Sequence, residues 1–310
     1  MKSAKNILIH SFVTDGYMEY AEIFLQSLHA LYGNKIHVRI DGCNLSDNDV
    51  YRLRSLYNNI SIYNNALDIN NLSEILEVNT DTVLSWKKEI ESNRTTIKNF
   101  WFKVFISVDQ RYRSMDKVIG YAKSRGYDIL LHLDIDNYFR SNFLENLVEV
   151  LGRHDLGVYV NSSSEHTKKY WGGFLCFNLN GNIERFVQIW MSEIDRYYFR
   201  DRWKGFGQSV LSFAIDSCDD LKVVNLSAAE KSPVRSDSFD AKADIWQASN
   251  SRRHFLPSFL HKIPQILFNL FFNKLYLGLL NRDTLPYVSQ KAKISRKICM
   301  FDLKHNTNKS

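Results

Sequence analysis

The chain has 310 residues, 45% of them apolar and 14% aromatic, with four prolines and thirteen glycines. That composition supports a sizeable buried core and excludes disordered, collagen-like and repeat architectures. The net charge of +6 is uneven: from Ser251 onward there are eleven Lys/Arg and two Asp/Glu, whereas the first 250 residues hold 29 basic and 32 acidic residues. A nucleic-acid binder would more often carry basic side chains across its folded body, so no nucleic-acid partner is expected. The shift in charge marks a boundary near residue 250, between a body of residues 1–250 and a basic tail of residues 251–310.

Cys43, Cys176, Cys218 and Cys299 are widely spaced and form no CxxC pair. Neither a disulfide framework nor a zinc site is expected, and a reducing compartment fits better. The N-terminal "MKSAKNILIHSFVTDG" enters a strand-like run without a signal-peptide core, so a cytoplasmic location is expected.

In chain order, "NILIHSF" (6–12) predicts a first strand and "YMEYAEIFLQSLHALYG" (17–33) a helix. Tyr20, Phe24, Leu28 and Leu31 recur there at helical spacing, with a glycine stop. "KIHVRIDG" (35–42) predicts a second strand ending in Asp41-Gly42, and "ISIY" (60–63) a third. Residues 64–99 are polar and asparagine-rich. "FWFKVFISVDQ" and a helix through "MDKVIGYAKSRG" follow, and then "DILLHLDID" (128–136), whose apolar run suits a central strand covered on both faces. Ser141 is read as the cap of a helix that stops at Gly152. Strands at "LGVYVN" and "WGGFLCFNLNG", a helix over 182–200 and "GQSVLSFAI" complete the body. Alternating strands and helices predict an α/β fold with a mostly parallel sheet and helices on both faces. Ligands bind such sheets beyond the carboxyl ends of the strands.

Asp134 and Asp136 stand at one such end. On an extended segment, residues i and i+2 point to one side, so both carboxylates would face one ligand. Two adjacent anions repel unless a cation lies between them or one is protonated. A divalent Mg²⁺ or Mn²⁺ relieves the repulsion and characteristically bridges carboxylates to phosphate oxygens. It can then neutralise a departing diphosphate.

"YDILLHLDIDNYF" resembles the DxD strand of GT-A nucleotide-sugar glycosyltransferases, especially bacterial enzymes of polysaccharide, capsule and lipopolysaccharide assembly. "WGGFLCFNLNG" is similar to that family's later glycine-containing strand and "FGQSVLSFAI" to its DQ-x-x-L helix, so the resemblance spans about residues 6–250. It implies a GT-A fold and metal-dependent transfer, of the hexosyltransferase kind, from a nucleotide-sugar to a glycan or lipid-linked glycan. UDP is expected on frequency alone, since no residue separates uracil from guanine. The resemblance makes Asp134, Asp136 and Gln208 the catalytic set. It makes Phe12, Thr14, Asp15, Asp41, Lys103, Gly172 and Gly173 donor- or acceptor-binding residues. The metal would sit on Asp134 and Asp136, with His254 as third ligand and Gln247 standing where relatives carry a late histidine. The pattern departs at Gly207, where relatives have an aspartate before the glutamine. Loss of that carboxylate points toward a retaining outcome.

In the tail, "FLPSFLHKIPQILFNLFFNKLYLGLLNR" (255–282) is interrupted by Pro257, Pro264, His261 and Lys262, which argues against a membrane span. Gln265, Asn269 and Asn273 line up on one helical face, with Leu267, Leu270, Phe271, Leu275 and Leu279 on the rest. With the basic "KAKISRK" (291–297), this predicts a helix lying on an anionic membrane surface, peripheral at the inner face of the cell membrane. The alternatives are a helix packed on the domain or on a partner. For the function, the alternatives are a haloacid-dehalogenase-type phosphatase and a non-catalytic nucleotide- or sugar-binding module. The phosphatase pattern is broken by Tyr138, where Thr or Val belongs.

Overall fold

The computed structural model describes residues 5–65, 98–160, 169–200, 207–236 and 242–247, with scattered residues between 73 and 88. The strands of the main sheet are β1 (Ile7–Thr14), β2 (His37–Cys43), β3 (Ile60–Asn65), β4 (Ile129–Asp134), β6 (Leu156–Val160), β7 (Tyr170–Asn178) and β8 (Val223–Asn225). A second sheet is built from β5 (Asn137–Phe139), β9 (Arg235–Ser236) and β10 (Ile245–Gln247). Among the described residues, six helices flank them: α1 (Met18–Tyr32), α2 (Asp47–Leu56), α3 (Lys98–Ser124), α4 (Leu144–Leu151), α5 (Glu184–Arg200) and α6 (Gln208–Asp216).

The main sheet runs β3-β2-β1-β4-β7-β6-β8, and only β7 is antiparallel to its neighbours. This is the mostly parallel α/β sheet expected, covered on both faces. Leu8 and Leu130 face one way, against Tyr112, Met115 and Val118 of α3, Phe186 and Trp190 of α5 and Leu211 of α6. Ile9, Leu131 and Leu133 face the other way, against Phe24 and Leu25 of α1 and Leu144 and Leu147 of α4. Both faces of β1 and β4 are therefore desolvated, which is why their sequences read as continuous apolar runs.

Strand order decides where a ligand can sit. From β1 the chain winds one way to β2 and β3, then returns to place β4 on the other side of β1. That reversal opens a crevice at the carboxyl ends of β1 and β4, the usual ligand position in such sheets. Phe12 pairs with Asp134 on one side and with Asp41 on the other. Because β7 is antiparallel to β4, with Leu133 opposite Phe174, its first residues arrive at the same edge. Gly173 is thereby carried to Asp134 and Gly172 to the Tyr112 hydroxyl.

Two local expectations are corrected. β4 ends at Asp134, and Ile135–Asp136 form a turn closed by Asn137 Nδ2 donating to the Asp134 carbonyl at 2.7 Å. Asp136 thus reaches the site from a turn rather than by strand alternation. Ser141 is not the cap of α4, which starts at Leu144 after Phe143; the Ser141 hydroxyl donates instead to the Asp244 carboxylate. A caps-ready serine was recruited by the second sheet.

The turn is anchored from below by Phe139. It is 1% exposed, packs edge-on to Phe24 at 5.1 Å and stacks on Phe143 at 5.2 Å. Phe139→Ala is expected to cost about 3–5 kcal/mol of unfolding free energy through lost contact and a residual cavity. Urea denaturation followed by tryptophan fluorescence checks this.

Candidate active site

The two aspartates meet a cation supplied by the chain itself. Arg111, on the sheet-facing side of α3, donates Nη1 to Asp134 Oδ1 and Nη2 to the Tyr112 hydroxyl at 2.6 Å. Burial disfavours the guanidinium charge, but Asp134, then Tyr112 and Asp136, outweigh it and raise its pKa. Both carboxylates therefore act on one guanidinium, although they approach it from a strand end and from a turn. The Arg111 Nε is shut off from solvent without a hydrogen-bond partner. Tyr112 is held neutral: burial first, and then Asp134, raise its pKa, with Arg111 opposing.

Gly173 explains the close approach of β7. A Cβ there would overlap the Asp134 carboxylate and the edge of the Trp171 ring. The half-buried Trp171 carries the Arg235 guanidinium over its face, 3.3 Å from the ring centroid. Arg235 in turn donates to Gln247 Oε1, and Gln247 Nε2 lies 3.4 Å from Asp136 Oδ1. Gln247 reaches Asp136 because β10 pairs antiparallel with β5, Gln247 opposite Asn137.

Beneath the crevice lies a buried polar row. His10 and His132 face each other across β1 and β4, Nδ1 to Nδ1 at 2.9 Å with stacked rings, both fully buried. One ring must donate and the other accept, so the pair cannot be doubly charged. His10 Nε2 lies 3.6 Å from Asp41 Oδ2, and Asp41 accepts from Arg39 Nε at 2.8 Å. Burial opposes ionisation of Asp41, yet bonds from His10 and Arg39 hold its carboxyl below the usual range. Burial, then His10 and Arg111, push His132 well below its ordinary value of 6.5.

Several residues expected to form the site come together, and others do not. Asp134 and Asp136 converge on Arg111, Gly173 lies against the Asp134 carboxylate, and Gly172 abuts the Tyr112 hydroxyl. Phe12 and Thr14 are half-buried at the end of β1, beside them. Asp41 is 5% exposed and already engaged by Arg39 and His10, which sets it below the crevice. Gln208 opens α6 after Gly207, whose φ of 46° and ψ of −76° are rarely adopted by a residue with a Cβ. The backbone at the departure from the DQ pattern thus itself favours glycine. Lys103 lies on α3, the helix that supplies Arg111, but its side chain, that of Asp15, His254 and the whole tail are outside the described residues. Among the described residues, no helix is long and apolar enough to cross a membrane. Sequence reasoning missed Arg111, Trp171 and Arg235; only Trp171, next to the paired glycines, left a local signal.

The donor set suits a hard divalent cation. Asp134 and Asp136 offer carboxylate oxygens, the hard donors proper to Mg²⁺ or Mn²⁺, and Gln247 stands next to them with its Nε2 toward Asp136. Among the described residues no group of three His, Cys, Asp or Glu gathers to hold a metal.

No family model and no curated protein matches the chain. Solved structures similar to it include the glycosyltransferase GlyE of Streptococcus pneumoniae TIGR4, at 14% identity over 72% of this chain with a TM-score of 0.44. The chain spans 45% of the GlyE chain. The galactosyltransferase LgtC, crystallised with donor and acceptor sugar analogs, matches at 12% identity over 86% of this chain and 95% of its own, TM-score 0.48. Mouse xyloside xylosyltransferase 1 in its apo form matches at 12% identity over 79% of this chain and 98% of its own, TM-score 0.45. At this identity the likeness is one of backbone path.

Two outcomes follow from the geometry. Gly173→Ala displaces Asp134 or Trp171 and is expected to weaken ligand binding at least tenfold with a modest loss of stability, by calorimetric titration and thermal melting. The His132 imidazole is neutral when folded but takes up a proton near pH 6.5 when unfolded. Its contribution is complete above that pH and is lost as pH falls below it, by up to ~1.4 kcal/mol per unit. Urea midpoints between pH 7 and pH 5 are expected to fall, and His132→Leu to flatten the slope.

Proposed function

We propose that the protein is a metal-dependent glycosyltransferase that moves a sugar from a nucleotide-sugar, UDP-linked by preference, to a glycan or lipid-linked glycan acceptor. The observation that carries this reading is the convergence of Asp134, Asp136 and Arg111 at the crevice between the carboxyl ends of β1 and β4.

The chemistry asks for a site that accommodates a diphosphate and favours its departure. The bond from the anomeric carbon to the diphosphate oxygen breaks, a bond to the acceptor oxygen forms, the acceptor hydroxyl proton passes to the departing diphosphate, and negative charge grows on the leaving phosphate as the bond breaks. Arg111, charged under all ordinary conditions, lies beside the carboxylate pair, where its positive charge would favour a diphosphate. When bound, the divalent ion neutralises the diphosphate as a Lewis acid. Asp134 and Asp136 would hold it, with Gln247 in reach of Asp136. Gly173 lets the Asp134 carboxylate and Trp171 pack against the β7 backbone, and Gly172 does the same for the Tyr112 hydroxyl, so the sugar-binding role proposed for both glycines is the shaping of this wall. Phe12, Thr14 and Asp15 are assigned to the nucleotide and Gln208 to the acceptor side. The reading also keeps the basic tail of residues 251–310 as a contact to an anionic membrane surface, where a lipid-linked acceptor would be found, and keeps cell-surface polysaccharide assembly as the setting.

A thermal-shift panel of UDP, GDP and CMP and their sugars, with and without Mn²⁺, tests the proposal. The wild-type protein is expected to be stabilised by one nucleotide series only when metal is present, by about 2–3 kcal/mol at a hundredfold excess over Kd. Asp136→Asn is expected to remove that stabilisation. Absence of any nucleotide shift under every metal condition overturns the proposal, and phosphatase turnover in its place selects the dehalogenase-type alternative.

A further inference from the structure

The second sheet delivers to Asp136 a group whose orientation is decided by a residue outside the crevice. Gln247 is 3% exposed, and its carboxamide has two ends of nearly equal shape, one a donor and one an acceptor. What settles the choice is Arg235. A guanidinium has only donors, so the end it touches must be Oε1, which leaves Nε2 for Asp136 Oδ1 at 3.4 Å. Arg235 is itself held flat on Trp171, 3.3 Å from the ring centroid. In the parallel register of β9 and β10 it stands opposite Ile245, two residues before Gln247. The two side chains therefore share one face of the small sheet.

We infer that Arg235 is a positioning residue that locks the Gln247 carboxamide with its N–H toward Asp136, and so sets how tightly the carboxylate pair takes a divalent cation. The inference rests on the metal-dependent reading above and adds to it a determinant of metal affinity. In the locked state Gln247 donates to Asp136 and offers no oxygen to a cation. To become a ligand the amide must turn over and give up its bond to Arg235. The lock thus holds the carboxylates compensated in the absence of metal, at the expense of affinity for the free ion. A donor diphosphate, which brings further oxygens, offsets that handicap. The site is thereby biased toward taking the metal together with the nucleotide.

The experiment is Mn²⁺ titration of the full chain without nucleotide, read as the loss of the free-Mn²⁺ electron paramagnetic resonance signal. Thermal melting confirms that each variant is folded. Arg235→Leu is expected to bind Mn²⁺ several-fold more tightly than wild type. Arg235→Lys keeps the charge but not the planar fork, and is expected to be intermediate. Combining Arg235→Leu with Gln247→Leu is expected to abolish the gain, because no amide oxygen is left to recruit. A gain that survives in the double variant comes from charge removal alone and overturns the lock. So does a folded Arg235→Leu that binds no more tightly than wild type. If neither wild type nor any variant binds Mn²⁺ without nucleotide, the lock is overturned; the metal-dependent reading itself falls only if Mn²⁺ also fails to bind when each nucleotide is present, a pattern distinct from failure of the lock alone.

Discussion

Two carboxylates in a partly desolvated crevice must be compensated, and the ion pair between Arg111 and Asp134 is where the fold does so. An unpaired charge in such a place is strongly unfavourable, and removing one partner of a buried pair is correspondingly severe. Much of the architecture can be read as the means of bringing this pair together. α3 is 27 residues long, enough at ~1.5 Å per residue to cross the sheet and set Arg111 over the end of β4. β7 runs antiparallel so that a residue without a side chain lies against the Asp134 carboxylate. The turn after β4 swings Asp136 toward the same guanidinium.

The fold was legible where burial on both faces leaves one reading of the pattern. β1 and β4 were readable because neither face meets water, and α1 because its apolar stripe has helical period and ends at Gly33. What escaped notice depends on contacts distant in sequence. Asp136 sits in a turn because Asn137 binds the Asp134 carbonyl and β5 then pairs with β10, more than a hundred residues later. Ser141 looked like a helix cap, but Asp244 claims its hydroxyl. Local grammar was correct in both segments, and tertiary partners overrode it.

The site divides along the same line. Asp134, Asp136 and the paired glycines announced themselves by type and spacing. Arg111 is one arginine among several on a polar stretch, and nothing nearby distinguishes it from a solvated residue. Arg235 is harder still: its place depends on a two-residue strand, and its stacking partner Trp171 is 64 positions away. Asp41 shows the converse. Its position at the end of β2 suggested a ligand contact, but the structure engages it with Arg39 and His10 under the crevice. A carboxylate at a strand end can face outward to a ligand or downward to a buried base, and only the neighbouring strands decide.

The facing histidines carry a consequence for how the chain finds its alignment. Parallel apolar strands slide past one another at little cost in burial, because Leu, Ile and Val are nearly interchangeable as neighbours. His10 and His132 are not interchangeable with anything around them. Slipping β1 against β4 by one residue would set His10 beside Leu131 or Leu133 and His132 beside Ile9 or Ser11, and would break the buried Nδ1–Nδ1 hydrogen bond. Together with the buried Ser11 hydroxyl, which donates to the Leu133 carbonyl at 2.7 Å, this polar coincidence discriminates between the native alignment and its neighbours. The same alignment puts Phe12 opposite Asp134. The pair acts as a key cut into an otherwise featureless edge, and the crevice above it inherits its geometry from that fit.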